Sequence, residues 1–362
     1  MASDTEARQR RLLAGALRYP DAGRVWLSDT GLAFLAAEAL AVCGPERVRA
    51  VERDLLARRR LAGALPGLAV AHAARAEAAP GDFVVLPLDK DRRALFESLA
   101  ALVARVGPAG GLALYGSRRE GMEPALAYLA QFSALAPVAG RAGLRLVLAR
   151  PQGTPAPALP PLPASYRAQA RGVAVDVACR PGLFSWRALD GATALMLARC
   201  APRDGDRLLD LGCGAGPVAA LLLAEGRVRE ATLVDTDALA LEAAADTLAR
   251  NGLAGPGVEL LASDAGQELA AGRFDLILCN PPLHRGFTAE RDSVARMVVE
   301  SARLLAPRGR LYLVGPPALR LGLRLPVHFQ TVDRLGGDAA LEVFRASFPR
   351  RPGLSGDAPP GS

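Results

Sequence analysis

The sequence predicts an α/β protein made of two tandem parallel-sheet units, and three observations carry that expectation. Short apolar runs alternate with helical stretches along most of the 362 residues, the pattern of parallel strands joined by helices. A proline-dense stretch, PQGTPAPALPPLPAS at residues 151–165, interrupts the alternation and suits neither helix nor central strand. The order of elements before that stretch also recurs after it. GDFVVLPL, a helix and VGPAGGLALYGSRREG in the first half mirror GRFDLILCNPPL, a helix and LAPRGRLYLVGPPALR in the second.

Taken in order, residues 1–20 read as a helical lead-in, and VWLSDTGLAFLAAEALAVCG carries a helix rich in alanine and leucine. Strands are expected at Val48–Val51, Gly67–Ala71, Phe83–Leu86 and Gly111–Tyr115, with ALFESLAALVARV helical between the last two. The proline-dense segment reads as a stiff, extended linker. It separates a first domain, 1–150, from a second, 166–350. Beyond it, RGVAVDVACR alternates and GATALMLARC is an amphipathic helix leading into the strand RLLDL. Further strands are expected at Ala231–Val234, Val258–Leu261, Phe274–Cys279 and Arg310–Val314, with helices at Asp237–Arg250 and Ala289–Leu305. Two extended runs around Gly336-Gly337-Asp338 predict a terminal antiparallel hairpin. Residues 351–362, rich in proline, glycine and serine, are expected to be disordered.

Composition excludes several function classes. Five cysteines, at 43, 179, 200, 213 and 279, form no CxxC pair and are odd in number, which supports neither a zinc knuckle nor a disulfide framework. No metal is expected. No apolar run approaches the ~20 residues of a membrane span, and the N-terminus has no signal-peptide core. The expectation is a soluble, cytoplasmic, monomeric protein without a membrane partner. Net charge is +7 with a pI near 9.6, which points mildly to a polyanion. The first 165 residues carry +6 of that charge and the remainder +1, so the first half is the expected holder.

Chemistry concentrates between Arg207 and His284. A strand ending in Asp210 runs into Gly212-Cys213-Gly214-Ala215-Gly216, where glycines let the backbone turn tightly and approach a ligand. A dinucleotide fold wants Gly-x-Gly-x-x-Gly with a helix N-terminus aimed at a pyrophosphate. Here the third glycine comes one residue early, and Asp210 would oppose a phosphate but suit a cation, which favours an adenosyl sulfonium. Asp235 ends the next strand, where a carboxylate accepts ribose hydroxyls, and Asp264 follows the third strand, placed to accept from an adenine amine. Each aspartate alone reads as a helix cap; three at successive strand ends read as a cofactor site.

The strand Phe274–Cys279 leads directly into Asn280-Pro281-Pro282. Each proline disfavours the helical region for its predecessor, and neither donates a backbone hydrogen bond. The loop therefore offers acceptors, the Asn280 amide oxygen and the Pro281 carbonyl. Two acceptors on one planar NH2 draw its lone pair out of ring conjugation toward a methyl donor.

This arrangement resembles class I S-adenosylmethionine-dependent methyltransferases. GRFDLILCNPPLHRG is similar to the Asn-Pro-Pro-Phe-His motif of the bacterial small-subunit ribosomal RNA guanine-N2 methyltransferases, and PGLFSWRALDGAT at 181–193 to the segment that precedes their cofactor strand. The resemblance implies two tandem Rossmann-like methyltransferase domains, the second with a seven-stranded mixed sheet and terminal hairpin, the first degenerate; the charge of that first domain makes it the expected RNA-binding one. On it, Asp210, Gly212, Gly214 and Gly216 hold the methionine end of S-adenosylmethionine, Asp235 the ribose and Asp264 the adenine. Asn280, which also borders the cofactor, takes the target amine with Pro281; Pro282 and His284 complete the motif. Leu283 replaces the aromatic that stacks on a flipped base, a contact worth ~1–3 kcal/mol; Phe184 or Phe287 is a candidate for that face, and Ser185 for a further substrate contact. The implied activity is methylation of a guanine N2 in ribosomal RNA or the small subunit. A glutamine methyltransferase would use the same two acceptors but carries a tyrosine after Asn-Pro-Pro, and a non-catalytic RNA-binding assembly factor is the third reading.

Overall fold

A computed structural model describes residues 19–20, 23–141, 143–282 and 287–350. Most of the expected lead-in helix, the tail 351–362, and Leu283 and His284 lie outside the described residues. The chain divides into two compact units. One comprises 1–162 with Arg180–Gly182 and Asp237–Leu239, the other Pro163–Cys179, Leu183–Thr236 and 240–362.

Unit 1 is built on a seven-stranded sheet. Its parallel part is β1 (Val25–Ser28), β2 (Val48–Glu52), β3 (Val70–His72), β4 (Phe83–Pro87) and β5 (Gly111–Ser117). An antiparallel pair, β6 (Ser133–Arg141) and β7 (Leu144–Pro151), completes it. The strands lie in the order β3-β2-β1-β4-β5-β7-β6. Alternate side chains enter separate cores on the two faces, as the two-residue strand period requires. Val25, Leu27, Ala50 and Val85 pack with the helix Ala33–Cys43, whereas Trp26, Val51, Val84 and Leu86 pack with Arg92–Val106.

Three features of this half differ from expectation. The expected helix lies within its stretch at Ala33–Cys43, but VWLS ahead of it forms the first strand of the sheet, which was not among the expected strands. All four residues of β1 are buried, so the strand shows no polar alternation and merges in sequence with the apolar helix behind it. The β6–β7 hairpin has no counterpart among the expected elements, and the third strand lies at Val70–His72 rather than Gly67–Ala71. From Gln152 to Ala164 the chain has neither helix nor strand. Ala156 and Leu159 pack against a unit 1 core, the Tyr128 hydroxyl donates to the Pro157 carbonyl at 3.3 Å, and Arg93 donates to that of Pro160 at 2.7 Å.

Unit 2 opens with a separate two-stranded sheet, β8 (Ser165–Ala170) and β9 (Val173–Ala178). The parallel strands of its main sheet are β10 (Asp206–Leu211), β11 (Val228–Asp235), β12 (Val258–Ala262), β13 (Phe274–Cys279) and β14 (Leu305–Gly315). The terminal hairpin β15 (Phe329–Gly337) and β16 (Glu342–Pro349) pairs antiparallel to β14, as the sequence predicts. The order β12-β11-β10-β13-β14-β16-β15 repeats the topology of unit 1. Leu209, Leu211, Ile277, Cys279, Leu311 and Leu313 form a core under the helix Phe287–Leu304. The two sheets are those expected of tandem Rossmann-like domains, and the carboxyl ends of β10, β11 and β13 bring the two reactive loops together, as open parallel sheets do.

Candidate active site

The glycine turn is held by its own sheet. Gly212 and Cys213 both donate their backbone N–H to the Val234 carbonyl, at 2.8 and 3.0 Å. Gly214 donates to Asp235 Oδ2 at 2.9 Å, and Gly216 to the Cys213 carbonyl at 2.9 Å. A phosphate-binding loop needs such N–H groups turned toward the ligand. Here four of them are engaged internally, which suits a ligand without phosphate.

Two glycines explain the spacing. Gly216, at φ 75°, caps the helix Pro217–Ala224, and a Cβ there would come within 3.1 Å of Ala244 Cβ. It lets the helix Ala238–Arg250 approach the turn. Gly214, at φ 53°, has no atom within 4 Å of where its Cβ would stand, so the turn opens on space there.

Two carboxylates bond the turn or the helix that follows it, and a third stands after the next strand. Asp210, the penultimate residue of β10, is 3% exposed and accepts from the Ala219 N–H at 3.1 Å, tying the strand to the first turn of the following helix. Burial pushes its carboxyl up to about 7, with the Asp235 charge adding to the rise and the Ala219 bond opposing it. Asp235 ends β11, half-buried, with Oδ2 on Gly214. Asp264 follows β12 by two residues and lies 3.3 Å from Arg296 Nε, contributed by the helix Phe287–Leu304. The same helix supplies Arg303, which donates to the Gly266, Gln267 and Leu269 carbonyls and so fixes the loop that carries Asp264.

Asn280 leaves β13 beside this turn. Its backbone oxygen is 4.0 Å from where a Gly212 Cβ would stand, so the two motifs meet. Its side-chain Nδ2 donates to Asp190 Oδ2 and to Thr193 Oγ1, each at 2.9 Å. Pro281 is buried and Pro282 exposed. Burial raises the Cys279 thiol and places its sulfur 3.7 Å from Met297 Sδ, so it is a core side chain rather than a nucleophile.

Of the candidates for substrate contact, Phe184 is 57% exposed and Ser185 has φ 51°. The helix that begins at Phe287 is described, the Phe287 side chain is not. Trp186, two residues on from Phe184, is buried with the Arg187 guanidinium 4.2 Å over its ring. Sequence reasoning missed Asp190, Thr193 and Arg296. Only Asp190 left a local signal, an acid in LDGAT immediately before a helix.

Comparisons with known proteins agree with this arrangement. Residues 174–345 match the family model for the methyltransferase small domain. The chain is 36% identical over 267 residues to the ribosomal RNA small subunit methyltransferase C of Pseudomonas aeruginosa strain UCBPP-PA14, covering 72% of this chain and 78% of that one. The corresponding Stutzerimonas stutzeri protein is 32% identical over 266 residues, covering 73% and 79%. Among solved structures, the T. thermophilus 16S rRNA N2 G1207 methyltransferase (RsmC) in complex with AdoMet and guanosine superposes with a TM-score of 0.77 at 28% identity, over 96% of this chain and 92% of that one.

Proposed function

We propose a mechanism from the premise that the chain belongs to the ribosomal RNA small subunit methyltransferase C family. The protein is an S-adenosylmethionine-dependent methyltransferase acting on the N2 amine of a guanine in 16S ribosomal RNA. When bound, S-adenosylmethionine supplies an electrophilic methyl group on a sulfonium. The rest of the chemistry falls to the residues around the turn.

In our reading Gly212, Gly214 and Gly216 shape the seat of the methionine end. Asp210 gives that seat negative charge, Asp235 accepts from the ribose hydroxyls and Asp264 from the adenine amine. The Asn280 amide oxygen and the Pro281 carbonyl accept the two hydrogens of the guanine NH2. The nitrogen lone pair is then free to attack the methyl carbon. With the cofactor held in that seat, its methyl group would lie in the path of this lone pair. The extra proton leaves the nitrogen after transfer, so no strong base is needed first. Pro282 stiffens the loop, and His284 is proposed as a substrate contact rather than a base. Phe184, Ser185, Leu283 and Phe287 are proposed to border the flipped base.

The observation that carries this reading is the meeting of Asn280 with the glycine turn, where the amide NH2 is already engaged by Asp190 and Thr193. Unit 1, with most of the excess positive charge, is proposed as a degenerate copy that holds RNA by its phosphates. Among the described residues no helix is long and apolar enough to cross a membrane, and a cytoplasmic, monomeric enzyme is proposed. Nucleoside mass mapping of 16S RNA from a deletion strain tests the activity: loss of one N2-methylguanosine, restored by the wild-type gene, is expected. An unchanged nucleoside profile would remove the assignment.

A further inference from the structure

The geometry assigns Asp190 and Thr193 a positioning role: they fix which end of the Asn280 amide faces the reacting amine. The inference rests on the reading of Asn280 as the amine acceptor.

A primary amide has a donor end and an acceptor end on one plane, and the two are nearly equal in shape. Were the Asn280 side chain turned over, its NH2 would confront the guanine NH2, two donors facing each other, and the acceptor geometry would be lost. Something in the protein must therefore distinguish the ends. A carboxylate has only acceptor atoms, so Asp190 Oδ2 at 2.9 Å can bond the amide only through Nδ2. Thr193 Oγ1, also 2.9 Å from Nδ2, lies 3.4 Å from Asp190 Oδ2. If the hydroxyl directs its hydrogen to the carboxylate, its lone pair faces Nδ2. Both amide hydrogens then have acceptors, and the plane of the amide directs Oδ1 away from both partners.

The pair is itself held rigidly. Asp190 caps the helix Gly191–Arg199, with φ −62° and ψ 142°, and its Oδ2 accepts the Thr193 N–H at 3.0 Å. Thr193 is 6% exposed. A helix cap and a catalytic-loop clamp are thus made by one carboxylate oxygen. This explains why a side chain with an acceptor oxygen at this reach stands 90 residues before Asn280 in the chain, at the start of a helix whose own stability would be served equally by the shorter serine.

Those alternatives supply the test, using the full-length protein, saturating labelled S-adenosylmethionine and small ribosomal subunits from a strain lacking the enzyme. Asp190→Ser keeps a capping oxygen but is too short to hold Asn280. Its single-turnover methyl-transfer rate is expected to fall ~10- to 100-fold, as for other misplaced reacting groups, with cofactor affinity, RNA affinity and Tm unchanged. Asp190→Asn, whose amide oxygen can occupy the Oδ2 position, is expected to recover the rate to within a few-fold. In an Asn280→Ala background Asp190→Ser is expected to cost nothing further, because there is no amide left to orient. A wild-type rate in Asp190→Ser beside a slow Asn280→Ala would overturn the positioning role alone. So would an equal loss from Asp190→Ser in both backgrounds, or an Asp190→Asn as slow as Asp190→Ser. A wild-type rate in Asn280→Ala would overturn the acceptor reading beneath it.

Discussion

The two units share a backbone and differ in chemistry, and strand register locates the difference. In unit 2 the turn begins at Gly212, φ 80°, whose N–H bonds the Val234 carbonyl at 2.8 Å, and Gly214, φ 53°, bonds the acid ending β11. In unit 1 Asp29, φ 50°, donates to the Val51 carbonyl at 2.9 Å, and Gly31, φ 55°, donates to Glu52, the acid ending β2, at 2.9 Å. The sequence predicts no such turn in the first half, yet its backbone survives there over Asp29–Gly31. The pairings Leu27↔Val85 and Asp210↔Leu278 place Leu27 where unit 2 has Asp210, and Pro87 where it has Asn280. Glu52↔His72 and Asp235↔Ala262 place Ala74 where it has Asp264. A turn satisfied by its own sheet persists as part of folding, whereas the side chains that face a ligand persist only with the ligand.

The largest expected effect separates Asn280 from Pro87. Asn280→Ala should lower the single-turnover rate by ~10²–10³, the usual cost of an aligned group in the transition state, while Pro87→Asn leaves the rate unchanged. A slower rate in the unit 1 variant would break the division between the two copies. Next come the acids that end the second strands. With Asp235 as the proposed ribose acceptor, Asp235→Ala should weaken S-adenosylmethionine by ~1.5–3 kcal/mol in calorimetry, the value of charge-assisted bonds, and Glu52→Ala should leave that affinity where it is.

RNA affinity should show the opposite bias. Replacing the exposed Arg60 and Arg119 of unit 1 by alanine should flatten the dependence of log affinity on log salt by ~0.9 for each phosphate that is no longer neutralised. The same change at the exposed Arg229 of unit 2 should leave the slope intact. Filter binding at several salt concentrations distinguishes the two; equal slopes in all variants would remove unit 1 as the RNA holder.

The smallest effect concerns pH. Asp210 holds its proton to about 7 in the folded protein against a reference value of 3.8, so folding takes up a proton between those values and stability from this group falls as pH rises through them. Above about 7 the penalty is constant. Asp210→Asn, which keeps an acceptor for Ala219, should therefore gain stability over wild type progressively from pH 4 to 7 in parallel melts, and no more beyond. Leu27 gives unit 1 no counterpart. Binding a cationic ligand favours the carboxylate, so wild-type cofactor affinity should rise from pH 6 to 8 with release of a proton, and the variant should bind more weakly without that rise.

Much of unit 2 was legible because its signals are local. An apolar strand, a glycine turn and two prolines each constrain the backbone within a few residues, and β11, β12 and β13 fall within a few residues of their expected places. Strand β1 was not legible, since four buried residues ahead of an alanine-rich helix carry no period of their own. Asp190 and Asn280 are 90 residues apart, and nothing in either neighbourhood implies the other. The Asp29–Gly31 turn has one glycine and an acid in a left-handed conformation, which no spacing rule finds until the strand order is known.

The four engaged N–H groups of the Gly212–Gly216 turn also bear on how the cofactor arrives. A loop that takes its shape only around a ligand loses backbone freedom at binding, about 1–2 kcal/mol per residue. Here that freedom was given up when the sheet formed, and the turn, the proposed cofactor seat, is preorganised before any ligand reaches it. Association should then be a single bimolecular step whose observed rate rises linearly with S-adenosylmethionine concentration, with no slow isomerisation behind it, and differences in affinity among variants of the turn should reside in the dissociation rate.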